Sequence, residues 1–231
     1  MKGGWFITGT DTGVGKTYVA KLLLQALKDR GEYALGMKPV ASGCYTTHAG
    51  MRSEDAEQLL AAGNVSADYA DINPYAFAPA CAPHIAAHAS GVEIELEKIL
   101  SHFRRLQQKS TWIVVEGVGG WIVPLSERLM LADMARAMQL PVILVVGLRL
   151  GCLNHSLLTV AAIRQAQVPL AGWVANLIDP AMTHVDENIA ALKSTIDAPL
   201  LFSLAHRKME NDSISLSNFE LERLMTARSK S

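Results

Sequence analysis

The chain predicts one α/β domain, a mainly parallel sheet with helices on both faces, and three features of the sequence lead there. Short apolar runs recur at residues 5–8, 34–40, 112–116, 142–147, 170–176 and 200–204, most without polar alternation. Such runs suit strands covered on both sides. Between them, apolar residues follow helical spacing at 17–28, 54–62, 96–108, 131–138, 153–166 and 185–195, and this alternation is the mark of a parallel sheet with crossover helices. With 231 residues, half of them apolar, the chain can bury one substantial core, so a single domain over 1–231 is expected.

The first strand runs into Gly9-Thr10-Asp11-Thr12-Gly13-Val14-Gly15-Lys16-Thr17 and then into the helix at 17–28. Strand, glycine loop and helix together turn backbone N–H groups and the positive end of a helix toward one point, which suits polyphosphate. Lys16 would reach the β and γ phosphates and Thr17 would offer its hydroxyl to Mg²⁺. The strict pattern has glycine where Thr10 stands, so the loop is a variant. These elements predict a P-loop NTPase fold. Ligands in such sheets bind beyond the carboxyl ends of the strands, here after Ile7, Lys38, Glu116, Gly147, Asn176 and Leu204.

Lys38 ends the second run and precedes Pro39-Val40-Ala41-Ser42-Gly43. It is either a catalytic cation at the phosphate edge or a lysine that snorkels from a strand end. Asp55 opens the helix at 54–62, where the helix dipole alone would favour an acid, and it is equally a candidate metal ligand. The strand at 112–116 ends in Glu116 before Gly117-Val118-Gly119-Gly120. A carboxylate there can reach a metal held by Thr17 and ATP, or simply cap the next turn. Gly151-Cys152-Leu153-Asn154 opens the helix at 153–166, and N–H groups at a helix start suit a carboxylate. Past the last strand the tail is polar, with weak helical spacing at 219–225.

Composition narrows the partners. A net charge of −1 with 19% charged residues and no basic run argues against nucleic acid or an anionic membrane. Three separated cysteines, Cys44, Cys81 and Cys152, form neither a disulfide framework nor a zinc pair, and the seven histidines lack zinc spacing. No apolar run approaches the ~20 residues of a membrane span, and the amino-terminal residues lack a signal-peptide core. A cytoplasmic protein acting on small molecules is expected.

Several segments together resemble the dethiobiotin synthetases, the ATP-dependent carboxylases of biotin synthesis. They are Thr8-Gly9-Thr10-Asp11-Thr12 with Val14-Gly15-Lys16-Thr17, Gly36-Met37-Lys38-Pro39-Val40-Ala41-Ser42-Gly43, Val115-Glu116-Gly117 with Gly119-Gly120-Trp121, and Pro141-Val142-Ile143-Leu144-Val145-Val146-Gly147. Gly151-Cys152-Leu153-Asn154-His155 and Gly172-Trp173-Val174-Ala175-Asn176 complete the set, in the family's order. The resemblance implies that 7,8-diaminopelargonate (7,8-diaminononanoate) takes up CO₂ as a carbamate, that ATP phosphorylates it, and that the second amine closes the ureido ring. It implies Mg²⁺ held by Thr17, Asp55 and Glu116, and Lys38 with Lys16 as catalytic cations. ATP would contact Thr12, Gly13, Val14, Gly15, Lys16, Thr17, Tyr18, Asp55, Glu116, Gly117, Val118, Gly119, Asn176 and Leu177. Ser42 would touch the substrate, and Gly151, Cys152, Leu153 and Asn154 would hold its carboxylate across a homodimer interface.

Asn176 would face adenine, although Asn176-Leu177-Ile178-Asp179 is also similar to the guanine-reading pattern N-K-x-D, with Leu177 in place of the lysine. The missing lysine favours adenine. The chain departs from the family at Gly13, where an acid can stand, and at Ala205, where a proline is usual before His206 and Arg207. Two other readings compete. A P-loop switch or partition ATPase would carry a signature lysine near Asp11, and an amidotransferase synthetase would need room for an ammonia-producing module.

Overall fold

The computed structural model describes residues 3–206; Arg207 and the helical stretch expected at 219–225 lie outside them. From the amino end, β1 (Gly3–Gly9) leads through the glycine loop into α1 (Lys16–Asp29), then β2 (Ala34–Met37). An excursion follows: β3 (Val40–Ser42), β4 (Tyr45–Thr47), β5 (Gly50–Arg52), α2 (Glu54–Ala62), α3 (Tyr69–Ile72), β6 (Tyr75–Phe77) and α4 (Pro83–Ala89). The chain then returns through α5 (Leu96–Lys109) to β7 (Trp112–Glu116), and continues as α6 (Leu131–Met138), β8 (Val142–Leu148), α7 (Cys152–Gln165), β9 (Leu170–Leu177), α8 (Val185–Thr195) and β10 (Leu200–Leu204).

Six strands form one all-parallel sheet in the order β10-β9-β8-β1-β7-β2. Both faces are covered, as the unbroken apolar runs require. Side chains alternate across β1: Trp5 and Ile7 pack with Val19, Leu23 and Leu27 of α1, while Phe6 faces the other way toward Phe103 of α5 and Met134 of α6. Beyond β8, Leu144 and Trp173 meet Val160 of α7 and Leu192 of α8. Each fully buried side chain of this size contributes on the order of 1.5–3 kcal/mol relative to exposure.

The expected strand at 34–40 is corrected by the structure. β2 stops at Met37, and 40–42 belong to β3, paired with β6 in a separate two-stranded sheet. Pro39 has no N–H for a ladder, and the N–H of Lys38 donates instead to the carbonyl of Ile72 (2.8 Å). The antiparallel hairpin β4–β5 was not expected. Each strand has only three residues, none of them buried, so there is no apolar alternation to read. α4 was also missed, although Pro83 at its start is a usual first helical residue. Among the described residues no helix is long and apolar enough to cross a membrane.

Gly36 lets α2 lie close on β2, because a Cβ there would sit 2.7 Å from the Cβ of Leu59 and 3.3 Å from its carbonyl oxygen. Substitution must push away the helix that carries Asp55. Gly36→Ala is expected to lower stability by about 1–3 kcal/mol, read from urea unfolding; an unchanged midpoint would mean that α2 adjusts freely.

Candidate active site

The glycine loop is braced from two strands. Thr10 donates its N–H to the carbonyl of Val145 (3.0 Å), and its hydroxyl accepts the N–H of Gly147 (3.2 Å). The residue that breaks the strict glycine pattern therefore ties the loop to the end of β8. From β9, the amide of Asn176 donates to the carbonyl of Val14 (2.8 Å). Gly15 has a φ of +94° and would drive a Cβ to 2.4 Å from that amide nitrogen, so the loop needs glycine there for conformation and for space.

Lys16, the first residue of α1, curls back to donate to the carbonyl of Asp11 (2.9 Å). Burial pulls its pKa down to about 8; the nearby Lys38 adds to this, and Glu116, Asp55 and Asp11 only partly oppose it. Thr17 follows, and its hydroxyl lies 2.9 Å from both Asp55 Oδ1 and Glu116 Oε1, with one proton to give to either.

Lys38 leaves the end of β2 and is buried. Its Nζ lies 2.6 Å from Glu116 Oε1, 2.7 Å from Asp55 Oδ2 and 3.1 Å from the carbonyl of Gly117. Three ammonium protons thus meet three acceptors. Burial would lower the pKa of Lys38, but the two carboxylates outweigh it and hold the pKa above the ordinary lysine value. For Glu116 burial dominates and raises the pKa against the pull of Lys38. Burial also acts on Asp55, yet Lys38 and the Thr17 hydroxyl keep its carboxyl below the usual range. The Oε2 atom of Glu116 is buried with no hydrogen-bond partner in the protein.

A cleft of about 1550 Å³ joins these groups. Of the residues singled out in the sequence, Thr12, Gly13, Gly15, Lys16, Thr17, Tyr18, Lys38, Ser42, Asp55, Glu116, Val118 and Gly119 line it. Val14 is buried within the loop, and Gly117 enters through its carbonyl. Asn176, Leu177, Gly151, Cys152, Leu153 and Asn154 are not part of its lining in one chain. The N–H of Cys152 is not free, since it donates to the carbonyl of Arg149 (3.0 Å). Three features escaped sequence reasoning. Arg149 pairs with Asp11 of the loop, the small residues Ala80, Cys81 and Ala82 form a wall, and Ile122 and Leu158 face the cleft. The tripeptide Gly-Gly-Trp before Ile122 was the one available signal for this last part.

The model of the family described as AAA domain matches residues 4–209. The ATP-dependent dethiobiotin synthetase BioD of Xanthomonas oryzae pv. oryzae (strain PXO99A) is 51% identical over 195 residues, covering 84% of this chain and 87% of the relative. That of Nitrosospira multiformis is 51% identical over 201 residues, covering 87% of each. The chain belongs to the dethiobiotin synthetase family. Among solved structures, a ParA family ATPase from Chlorobium tepidum TLS matches with a TM-score of 0.56 at 15% identity, over 100% of this chain and 93% of that one. The MinD cell division protein of Aquifex aeolicus gives a TM-score of 0.56 at 13% identity, over 99% and 98%. For this synthetase-family chain, likeness at that identity carries the P-loop NTPase fold and nothing about partners.

The low pKa of Lys16 gives the site a pH dependence with a defined sign. A polyphosphate reaching Lys16 would favour the charged lysine, so above pH 8 its binding would take up a proton and affinity would fall as pH rises. The dissociation constant of a non-hydrolysable ATP analogue is expected to be insensitive to Lys16 below pH 8 and to climb by up to about tenfold per unit above it. Calorimetry in buffers of different ionisation enthalpy measures this; a climb that persists in Lys16→Met assigns it to another group.

Proposed function

We propose that this member of the family makes dethiobiotin from 7,8-diaminopelargonate, CO₂ and ATP, releasing ADP and phosphate. One amine adds to CO₂ with loss of a proton, giving a carbamate. A carbamate oxygen takes the γ-phosphoryl group, and the second amine attacks the carbonyl carbon, expels phosphate and closes the ring. The observation that carries this reading is the buried Lys38 ammonium held between Glu116 and Asp55 beside the P-loop. It puts a fixed positive charge where an activated carbamate and a γ-phosphate would meet.

Phosphoryl transfer spreads charge over equatorial oxygens, and catalysis rests on positioning and neutralisation. Loop N–H groups would cradle the β and γ phosphates, and Lys16 would swing from the Asp11 carbonyl to reach them. As Asp55 and Glu116 turned to the metal cation, Lys38 would direct the protons so freed toward the transferring phosphoryl group, and Ser42 at the end of β3 would contact the diamine. Removal of one such donor costs about 10²–10³ in kcat.

Thr17, Asp55 and Glu116 would hold Mg²⁺. The donors are all oxygens, and the orphaned Oε2 of Glu116 fits a cation close by. Among the described residues no group of three or more His, Cys, Asp or Glu gathers for a metal, which agrees with a Mg²⁺ shell completed by substrate phosphates and water. When bound, Mg²⁺ would neutralise negative charge on the β and γ phosphates. ATP would be favoured over GTP because Leu177 stands where the guanine-reading pattern has its lysine.

A second copy of the chain would cover the face of α7. Leu150 is 95% exposed and Leu158 62%, beside Gly151 and Asn154, which would thereby approach the partner's cleft and hold the substrate carboxylate. Sedimentation as a single copy would remove this arrangement. The three free cysteines support a reducing cytoplasm, and one domain would carry the whole reaction.

Incubation with the diamine, CO₂ and MgATP is expected to give dethiobiotin, ADP and phosphate in equal amounts, and Lys16→Gln to lose at least about 10²-fold in kcat while staying folded. Phosphate release that ignores the diamine and responds to DNA would favour a switch ATPase instead. Asp55→Asn and Glu116→Gln are both expected to raise the Mg²⁺ concentration needed for half-maximal rate, since an amide is a poorer ligand for this cation. An effect confined to Glu116→Gln would return Asp55 to the role of a helix-start acid.

A further inference from the structure

The two halves of the cation site are joined by hydrogen bonds whose direction the chemistry fixes. Asn73 is buried, and one end of its amide faces two carbonyls, of Lys38 at 2.7 Å and Tyr75 at 3.1 Å. Carbonyls only accept, so that end is the NH₂ group and Oδ1 points the other way. There it takes the hydroxyl proton of Tyr69 (3.2 Å). The Tyr69 oxygen, having given its proton, accepts the N–H of Ser53 (2.7 Å). Ser53 caps α2, its own side chain accepting from Ala56, and Asp55 stands two residues further on. The N–H of Lys38 is meanwhile held by the carbonyl of Ile72, between Tyr69 and Asn73.

We infer that Tyr69 and Asn73 are positioning residues of the reaction, a relay that sets the helix carrying Asp55 against the turn carrying Lys38. This rests on the roles proposed above for Lys38 and Asp55. Neither Tyr69 nor Asn73 lines the cleft, and neither belongs to the P-loop. Loss of the relay should therefore alter the chemical step and, with Mg²⁺ saturating, leave the P-loop's hold on ATP in place.

Tyr69→Phe removes only the hydroxyl and keeps the ring beneath the Arg52 guanidinium, 3.9 Å from its centroid. The expected result is a fall in kcat of about 10- to 100-fold with KM for ATP within about twofold of wild type. Combining it with Asn73→Ala should cost no more than Asn73→Ala alone, as for two members of one chain. Tyr45→Phe is the matched control: it removes a tyrosine hydroxyl that bonds Glu57 of the same helix but has no link to Lys38, and it should leave kcat near wild type. An unchanged kcat in Tyr69→Phe, an equal loss in Tyr45→Phe, or a loss that only tracks the folded fraction seen by circular dichroism overturns the relay. A crystal structure of Tyr69→Phe decides it without turnover, the expected result being a broken Lys38–Asp55 contact and a retained contact the contrary one. A wild-type chain that makes no dethiobiotin would sink the proposed function, and that crystal structure would still decide the relay.

Discussion

An ammonium buried between two carboxylates is the constraint on which the site is built. Alone in the interior, the charge of Lys38 would be too costly to keep. With Glu116, Asp55 and the Gly117 carbonyl all within 3.1 Å, every proton is matched and the charge persists. Removing one partner from such a group typically costs about 3–5 kcal/mol, because the other is left unpaired. The end of β2, the end of β7 and the start of α2 are thus held at hydrogen-bond distance by a requirement of charge balance, and none of the three can drift alone.

Sheet topology supplies the place for this cluster. β1 lies between β7 and β8, so the chain must leave β1, cross beyond β7 to form β2, and return. That reversal opens a crevice at the carboxyl end of β1, where α/β sheets bind ligands. Register does the rest: Met37 lies opposite Val115 and Ile7 opposite Glu116. Lys38, one residue past Met37, therefore emerges beside Glu116 with the glycine loop adjoining. Pro39 then turns the backbone out of the sheet, which frees the Lys38 N–H for Ile72 and aims its side chain into the crevice.

Where hydrophobic periodicity was strong, the sequence was legible to the residue. The strands at 112–116 and 200–204 and the helices at 54–62, 131–138 and 185–195 have the expected bounds. The positions of the P-loop, Lys38 and Glu116 at one edge were also legible, since each stands at the end or start of a well-marked element and the sheet brings such ends together, whereas Asp55 was singled out as more than a helix-start acid only by the family resemblance. Apart from α2 and α5, the stretch between β2 and β7 was opaque. Its short strands and helices bury little apolar surface apiece, and what orders them is a chain of polar bonds through Tyr69 and Asn73. Hydrogen bonds between residues 16 to 35 positions apart leave no periodic trace. Arg149 with Asp11, 138 positions apart, was invisible for the same reason.

The two sides of the cleft are consequently held by different physics. On the nucleotide side the loop is braced against the main sheet, through Thr10 to β8 and Asn176 to β9, so its geometry follows from core packing and costs little to maintain when a ligand arrives. On the other side, Lys38 and Asp55 depend on a small satellite sheet and on directional bonds to side chains. A loop that must accept a polyphosphate gains from a rigid frame. In the function proposed above, a cation and a carboxylate facing the reacting carbamate would gain from a setting independent of that frame. Thr10 and Asn176 fit this division, because each spends a polar group on bracing the loop to the main sheet.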